Sequence, residues 1–163
     1  MGHSERRLQC AETDAVVAAK LARCQEHQMH AIVCIGETSE EREAGHTHEV
    51  LRTQLEALKP SIKDWSRVVI AYEPVWAIGT GKTAFPEMAQ DAHDFIRKWV
   101  AANAAEGPAA ANQLRIVYGG SVKDSNAESL IACKDVDGFL VGSASMTEGF
   151  ATIVEIVNKA AHS

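Results

Sequence analysis

The chain has 163 residues, 46 % apolar and 23 % charged, ordinary values for one folded domain and not those of a disordered chain. Its 16 Lys and Arg against 22 Asp and Glu leave a net charge of −6 with the basic residues scattered, which argues against a nucleic-acid or anionic-membrane partner. No apolar run approaches the roughly 20 residues of a membrane span, and residues 1–9 are too polar for a signal peptide, so a cytoplasmic protein is the expectation.

Taken in chain order, short β-rich apolar runs are followed by longer stretches of helical period. A first helix is expected over residues 13–26, with Val16, Val17, Ala19, Leu21 and Ala22 among its apolar positions and Thr13 or Asp14 as N-cap. Residues 30–36 read as a strand. Val50, Leu51, Leu55 and Leu58 give the next helix, residues 46–58, which stops before Pro60. Residues 67–73 form a second strand. A long helix over residues 86–104 carries Met88, Ala92, Phe95, Ile96 and Trp99 as one stripe, with Pro86 in its first turn. A third strand at 114–118, a short helix at 126–132, a fourth strand at 137–142 and a closing helix with Phe150, Ile153, Val154 and Val157 complete the chain.

The expected organisation is a single α/β domain over residues 1–163: an opening helix and four βα units. Three of the four strands are near-continuous apolar runs, the mark of parallel strands covered by crossover helices. Right-handed crossovers leave two outcomes, a sheet coiling into part of a barrel or a flatter doubly wound, flavodoxin-like layer. Periodicity alone leaves that choice open.

Chemistry-bearing residues collect at the C-terminal ends of the strands. Glu73 closes the second strand and Pro74 fixes the chain direction after it, where parallel α/β sheets assemble active sites. A loop follows with Pro at one end and glycines near the other, the composition of a lid that excludes water when closed. Taken alone, the same Glu is equally a capping residue beside a surface loop. The turns at residues 118–121 and 142–145 place glycines between a strand and a helix, where backbone N–H groups gather and a phosphate fits. Each by itself is also a plain tight turn.

The four cysteines, Cys10, Cys24, Cys34 and Cys133, show no C-x-x-C pairing and lie in apolar surroundings, so free buried thiols are expected, with neither disulfide nor zinc. His46 and His48, two residues apart on a helix, point in different directions and read as solvated surface histidines.

The segments Gly-His-Ser-Glu-Arg-Arg7, Cys-Ile-Gly-Glu37, Ala-Tyr-Glu-Pro-Val-Trp-Ala-Ile-Gly-Thr-Gly-Lys82, Tyr-Gly-Gly-Ser121 and Asp-Gly-Phe-Leu-Val-Gly142 occur in order. With them the chain resembles the triosephosphate isomerase family from His3 nearly to the C-terminus. The resemblance implies a partial TIM barrel, its units 5 to 8. It implies interconversion of dihydroxyacetone phosphate and glyceraldehyde 3-phosphate, in glycolysis and gluconeogenesis, with no cofactor or metal. Glu73 corresponds to the base that moves the proton, and His3 to the imidazole that polarises the substrate oxygens. Gly79, Ser121, Gly142 and Ser143 would offer N–H groups to the phosphate. The lid would run over residues 74–84, including Pro74, Val75, Trp76, Lys82, Thr83 and Ala84, with Tyr118 and Ser121 as its latch and Glu37 holding Trp76 when it is open.

A complete barrel of this type takes about 250 residues, and the resemblance begins at the end of the family's fourth strand. The family's first-strand Asn and Lys, which bind substrate and stabilise negative charge, fall outside it, as does the loop of the main dimer contact. Ser143 stands where the family usually has a second glycine. Low activity of the chain alone is therefore expected, and fraying is expected at His3, which follows only Met1 and Gly2. Ile32, Cys34, Val69, Ala71, Val117 and Leu140 are expected to face water on the open side of the sheet, favouring a homo-oligomer, most simply a dimer, or pairing with an N-terminal half barrel. The expected small partners are a triose phosphate, phosphate or sulfate.

Overall fold

The computed structural model describes residues 1–77 and 85–161. Its elements are α1 (Ser4–Cys10), α2 (Asp14–Glu26), β1 (Ala31–Ile35), α3 (Ser39–Glu43), α4 (Thr47–Leu58), β2 (Val68–Tyr72), α5 (Pro86–Asn103), α6 (Pro108–Gln113), β3 (Arg115–Tyr118), α7 (Asp124–Ile131), β4 (Gly138–Phe139) and α8 (Gly149–Ala161). Local chemistry sets several of the ends. Thr13 caps α2 through a bond from the Val16 N–H, Thr38 and Glu41 form a reciprocal capping box on α3, and Pro86 opens α5 at its first turn. Among the described residues no helix is long and apolar enough to cross a membrane.

The four strands are parallel and lie in the order β1-β2-β3-β4, each hydrogen-bonded to its neighbour in sequence. A doubly wound sheet reverses direction at a switch point, and this one does not, so it is an arc of a βα barrel. The sheet is open. One face packs Val33, Ile35, Ile70, Tyr72, Ile116 and Tyr118 against the helices, whose side of the core is built from Val17, Leu21, Leu51, Leu55, Ile96 and Leu130. At roughly 25 cal/mol per Å² of apolar surface, this sheet-on-helix layer supplies the main folding drive.

On the other face the outcome is mixed. Ile32 is 49 % exposed and Val69, Val117 and Leu140 are half-buried, but Cys34 and Ala71 are buried. The expectation that all six would meet water fails at Cys34, along which residues 1–3 lie, and at the small Ala71, its ladder partner on β2. The Cys34 N–H donates to the Met1 carbonyl at 2.9 Å, and Arg7 clamps the segment by donating to the carbonyls of Gly2 (2.8 Å) and Cys34 (3.3 Å). His3 is accordingly not frayed: it is the N-cap residue of α1 and half-buried.

Other departures are local. β4 is shorter than the expected 137–142, although ladder bonds run from the Asp137 N–H to Ile116 and from the Leu140 N–H to Tyr118 before the chain turns at Gly142. Val16, counted with the first helix's apolar positions, is 42 % exposed. The four cysteines are free thiols, but only Cys34 is buried, and Cys10 is exposed at the end of α1. His46 is exposed beside Glu49 at 2.7 Å. His48 is instead half-buried, stacked on Phe95 and 2.8 Å from Asp91.

The site end of the sheet depends on one close approach. A Cβ on Gly36 would sit 1.7 Å from the Glu73 carbonyl oxygen, so β1 and β2 can converge there only over a glycine. Gly36→Ala is expected to cost at least about 2 kcal/mol, read as a lower urea midpoint at unchanged slope.

Candidate active site

Glu73 follows β2 directly, its N–H extending the ladder to the Ile35 carbonyl at 2.8 Å. Its carboxylate lies inside the rim, the residue being 2 % exposed. The Ser4 N–H donates to Oε2 at 3.0 Å, and His3 Nε2 lies 2.9 Å from Oε1. Burial pushes the carboxyl above its ordinary range, while the Ser4 N–H and then His3 pull the other way. The Glu5 N–H donates to His3 Nδ1 at 3.3 Å, so the neutral ring carries its proton on Nε2, facing Glu73. A buried base of raised basicity beside a positioned N–H donor is suited to taking a proton from carbon next to a carbonyl.

His3 is also part of the wall of a cavity of about 280 Å³, with Gly119, Gly120, Ser121, Gly142 and Ser143. Gly119 abuts Glu73, since a Cβ there would meet the Glu73 Cγ at 2.9 Å. The buried carboxylate and the glycine-walled cavity thus meet at His3 and Gly119. Tyr118 is fully buried directly beneath Gly120.

A second buried carboxylate, Glu37, anchors the start of the expected lid. Its Oε1 accepts bonds from Tyr72 Oη (3.0 Å), Trp76 Nε1 (3.1 Å) and Arg42 (3.0 Å), and the Arg42 guanidinium lies 5.1 Å over the Trp76 ring. Pro74 is buried, and the Val75 N–H donates to the Glu37 carbonyl at 3.0 Å. Gly79, Lys82, Thr83 and Ala84 lie outside the described residues.

Reading the sequence missed Ser4, Arg7, Arg42, Tyr72 and His93. Burial and the neighbouring Glu37 keep the Tyr72 phenol protonated as a donor. His93 is fully buried on α5, donates from Nδ1 to the Asp135 carbonyl at 3.0 Å, and meets Tyr72 edge-on at 5.7 Å. Burial pushes it down to about 4, so it is neutral. A signal existed for His93 in its helical spacing from Ala89, Ala92 and Ile96. Nothing in spacing pointed to Ser4, whose backbone N–H does the work. Among the described residues no group of three or more His, Cys, Asp or Glu is placed to hold a metal.

Fold and site together define part of a βα barrel with a buried carboxylate beside a histidine at its C-terminal rim and a glycine-walled pocket next to them. Residues 1–158 match the family model of triosephosphate isomerase, and the chain belongs to that family. It is 54 % identical over 157 residues to the glycosomal triosephosphate isomerase of Trypanosoma cruzi, covering 95 % of this chain and 62 % of that protein. It is 49 % identical over 160 residues to the cytosolic triosephosphate isomerase of Oryza sativa subsp. japonica, covering 98 % of this chain and 61 % of that protein. The chain spans less than two thirds of either relative.

A carboxyl raised by burial stabilises the fold at low pH and loses that contribution as pH rises from its unfolded value through its folded one. Glu73→Gln, which keeps an acceptor for Ser4, should melt at least as high as the unsubstituted chain at pH 8. The difference should shrink towards pH 4.5, in paired melting curves.

Proposed function

We propose that this chain carries the proton-transfer base and the phosphate cradle of a triosephosphate isomerase. The reaction is the interconversion of dihydroxyacetone phosphate and glyceraldehyde 3-phosphate. The observation that supports it best is the buried Glu73 carboxylate between the Ser4 N–H and His3 Nε2, with His3 also walling the glycine-lined cavity. In this reading the carboxylate takes a proton from the carbon beside the carbonyl, and the electron pair moves onto the oxygen faced by His3 Nε2–H. Returning the proton to the neighbouring carbon, while the hydroxyl proton passes between the two oxygens, gives the aldose. Backbone N–H groups at Ser121, Gly142, Ser143 and Gly79 hold the phosphate, and the lid over residues 74–84 closes over it.

The family's first-strand Asn and Lys belong to the stretch of the relatives that this chain does not span. Losing one such charge-stabilising group costs a factor of about a hundred to a thousand, and groups acting as a unit fail together. The chain assayed alone should turn over at least about a thousandfold below the rate restored by adding an N-terminal half of the family. Equal rates with and without that half would refute the impaired-chain reading. If substrate carbon-bound protons do not exchange even in the mixture, isomerase chemistry is refuted and a noncatalytic phosphate-binding module remains.

The apolar positions at Ile32, Val69, Val117 and Leu140 support self-association, most simply as a dimer, which the N-terminal half would displace. Mass measured by light scattering should fall between two and a few chains, and a monomer at micromolar concentration would sink this assignment. Four free thiols favour the cytoplasm as its compartment.

A further inference from the structure

Lys123 has no part in the proton transfer, yet it stands in the wall of the cavity that His3, Ser121, Gly142 and Ser143 line. It is the one Lys or Arg among the described lining residues, and no Asp or Glu lines that cavity. The chain as a whole is acidic, at −6, so an isolated positive charge at this wall is placed where an incoming anion meets it.

The surrounding turn fixes the residue and assigns the task to its side chain. The Lys123 N–H is already donated to Asn126 Oδ1 at 2.8 Å, and Asn126 Nδ2 donates to the Ser121 carbonyl at 2.9 Å. The backbone from 121 to 126 is therefore braced, and what Lys123 has left to offer is its exposed ammonium, which has no ion-pair partner among the described residues. Its neighbour Asp124 does not neutralise it. That carboxylate accepts the Ser125 N–H through Oδ1 at 2.8 Å, and its Oδ2 is turned towards Gly149. Asp124 lines only the adjoining cavity of about 370 Å³, of which Lys123, Ser121 and Ser143 are also walls.

We propose that Lys123 is the cation of the anion site, its ammonium drawing the phosphate group of the substrate onto the turns at Ser121 and Ser143. This rests on reading the cavity as a phosphate cradle. Backbone N–H groups supply direction, and the lysine supplies net charge that dipoles alone do not. An exposed ammonium is screened by salt, so its contribution is moderate and depends on ionic strength.

Inorganic phosphate titrated into the purified chain at low salt, followed by amide chemical shifts, tests the assignment. Lys123→Gln should weaken binding about fivefold or more, Lys123→Arg should stay within about twofold of the original, and Lys63→Gln at the far end of the sheet should change nothing. The gap between Lys123→Gln and the original should narrow as salt is raised. Phosphate bound equally well by Lys123→Gln would overturn the role of Lys123 and leave the cradle standing. No saturable phosphate binding by the original chain would remove the cradle and Lys123 together. Lysine-dependent binding in a chain that shows no isomerase turnover with an N-terminal half would refute the enzyme reading and keep Lys123 as the anion's cation.

Discussion

The site depends on keeping the carboxylate of Glu73 out of water. A buried carboxylate is costly unless partners meet it, and here both come from one short stretch: the Ser4 N–H donates to Oε2, and His3 Nε2 lies 2.9 Å from Oε1. That stretch in turn is held by the bond from Cys34 to the Met1 carbonyl and by the clamp of Arg7. The base is therefore set by contacts to β1 as much as by its own strand. Burial that makes the ionised form expensive also makes the carboxylate a better proton acceptor, so the instability and the chemistry have the same origin.

Glu37, at the end of the neighbouring strand, shows the opposite treatment of the same functional group. It is just as buried, but Tyr72, Trp76 and Arg42 all donate to it. A carboxylate engaged by three donors, most of their bonds on Oε1, is occupied with structural partners, Trp76 among them. Any movement that lifts Trp76 from Glu37 strips a buried acceptor of one donor, a cost of about 1–3 kcal/mol that contacts made elsewhere must offset. Neutral His93, packed against Tyr72 on the far side from solvent, keeps that phenol in place without adding a competing charge.

Much of this was readable from the chain because the strands are plain apolar runs, although only one face of the open sheet is fully covered, and because α4 and α5 repeat their apolar positions at helical period. β1, β2 and β3 lie within a residue or two of where those runs placed them. Periodicity says nothing about which neighbour a strand chooses, so strand order was readable only through the family resemblance and its partial barrel. α1, α3 and α6 were missed because each is too short to show a stripe, and two of the three exist through caps and tertiary contacts. In the candidate site, Glu73, Ser121, Gly142 and Ser143 were legible as residue types at strand ends, and His3 only through the family resemblance. Ser4 was not, because a backbone N–H leaves no mark in a sequence, and Arg7 was not, because both of its carbonyl partners come from folding the terminus back onto β1.

In the proposed reaction the two halves of the pocket would perform separate work, and this limits what Lys123 could do for it. A charge on the phosphate binds the resting substrate and the transition state alike, since the phosphate keeps its charge throughout. Such uniform binding lowers KM and leaves kcat where it was. In the proposed reaction charge would develop instead on the oxygens next to the carbon that Glu73 would deprotonate, and only donors aimed at those oxygens would lower the barrier. In the proposed reaction the described group nearest that position is His3 Nε2, a single donor that lies 2.9 Å from Glu73 Oε1 here. A lysine at the phosphate end therefore cannot replace one at the enediol end, however tightly it holds the substrate.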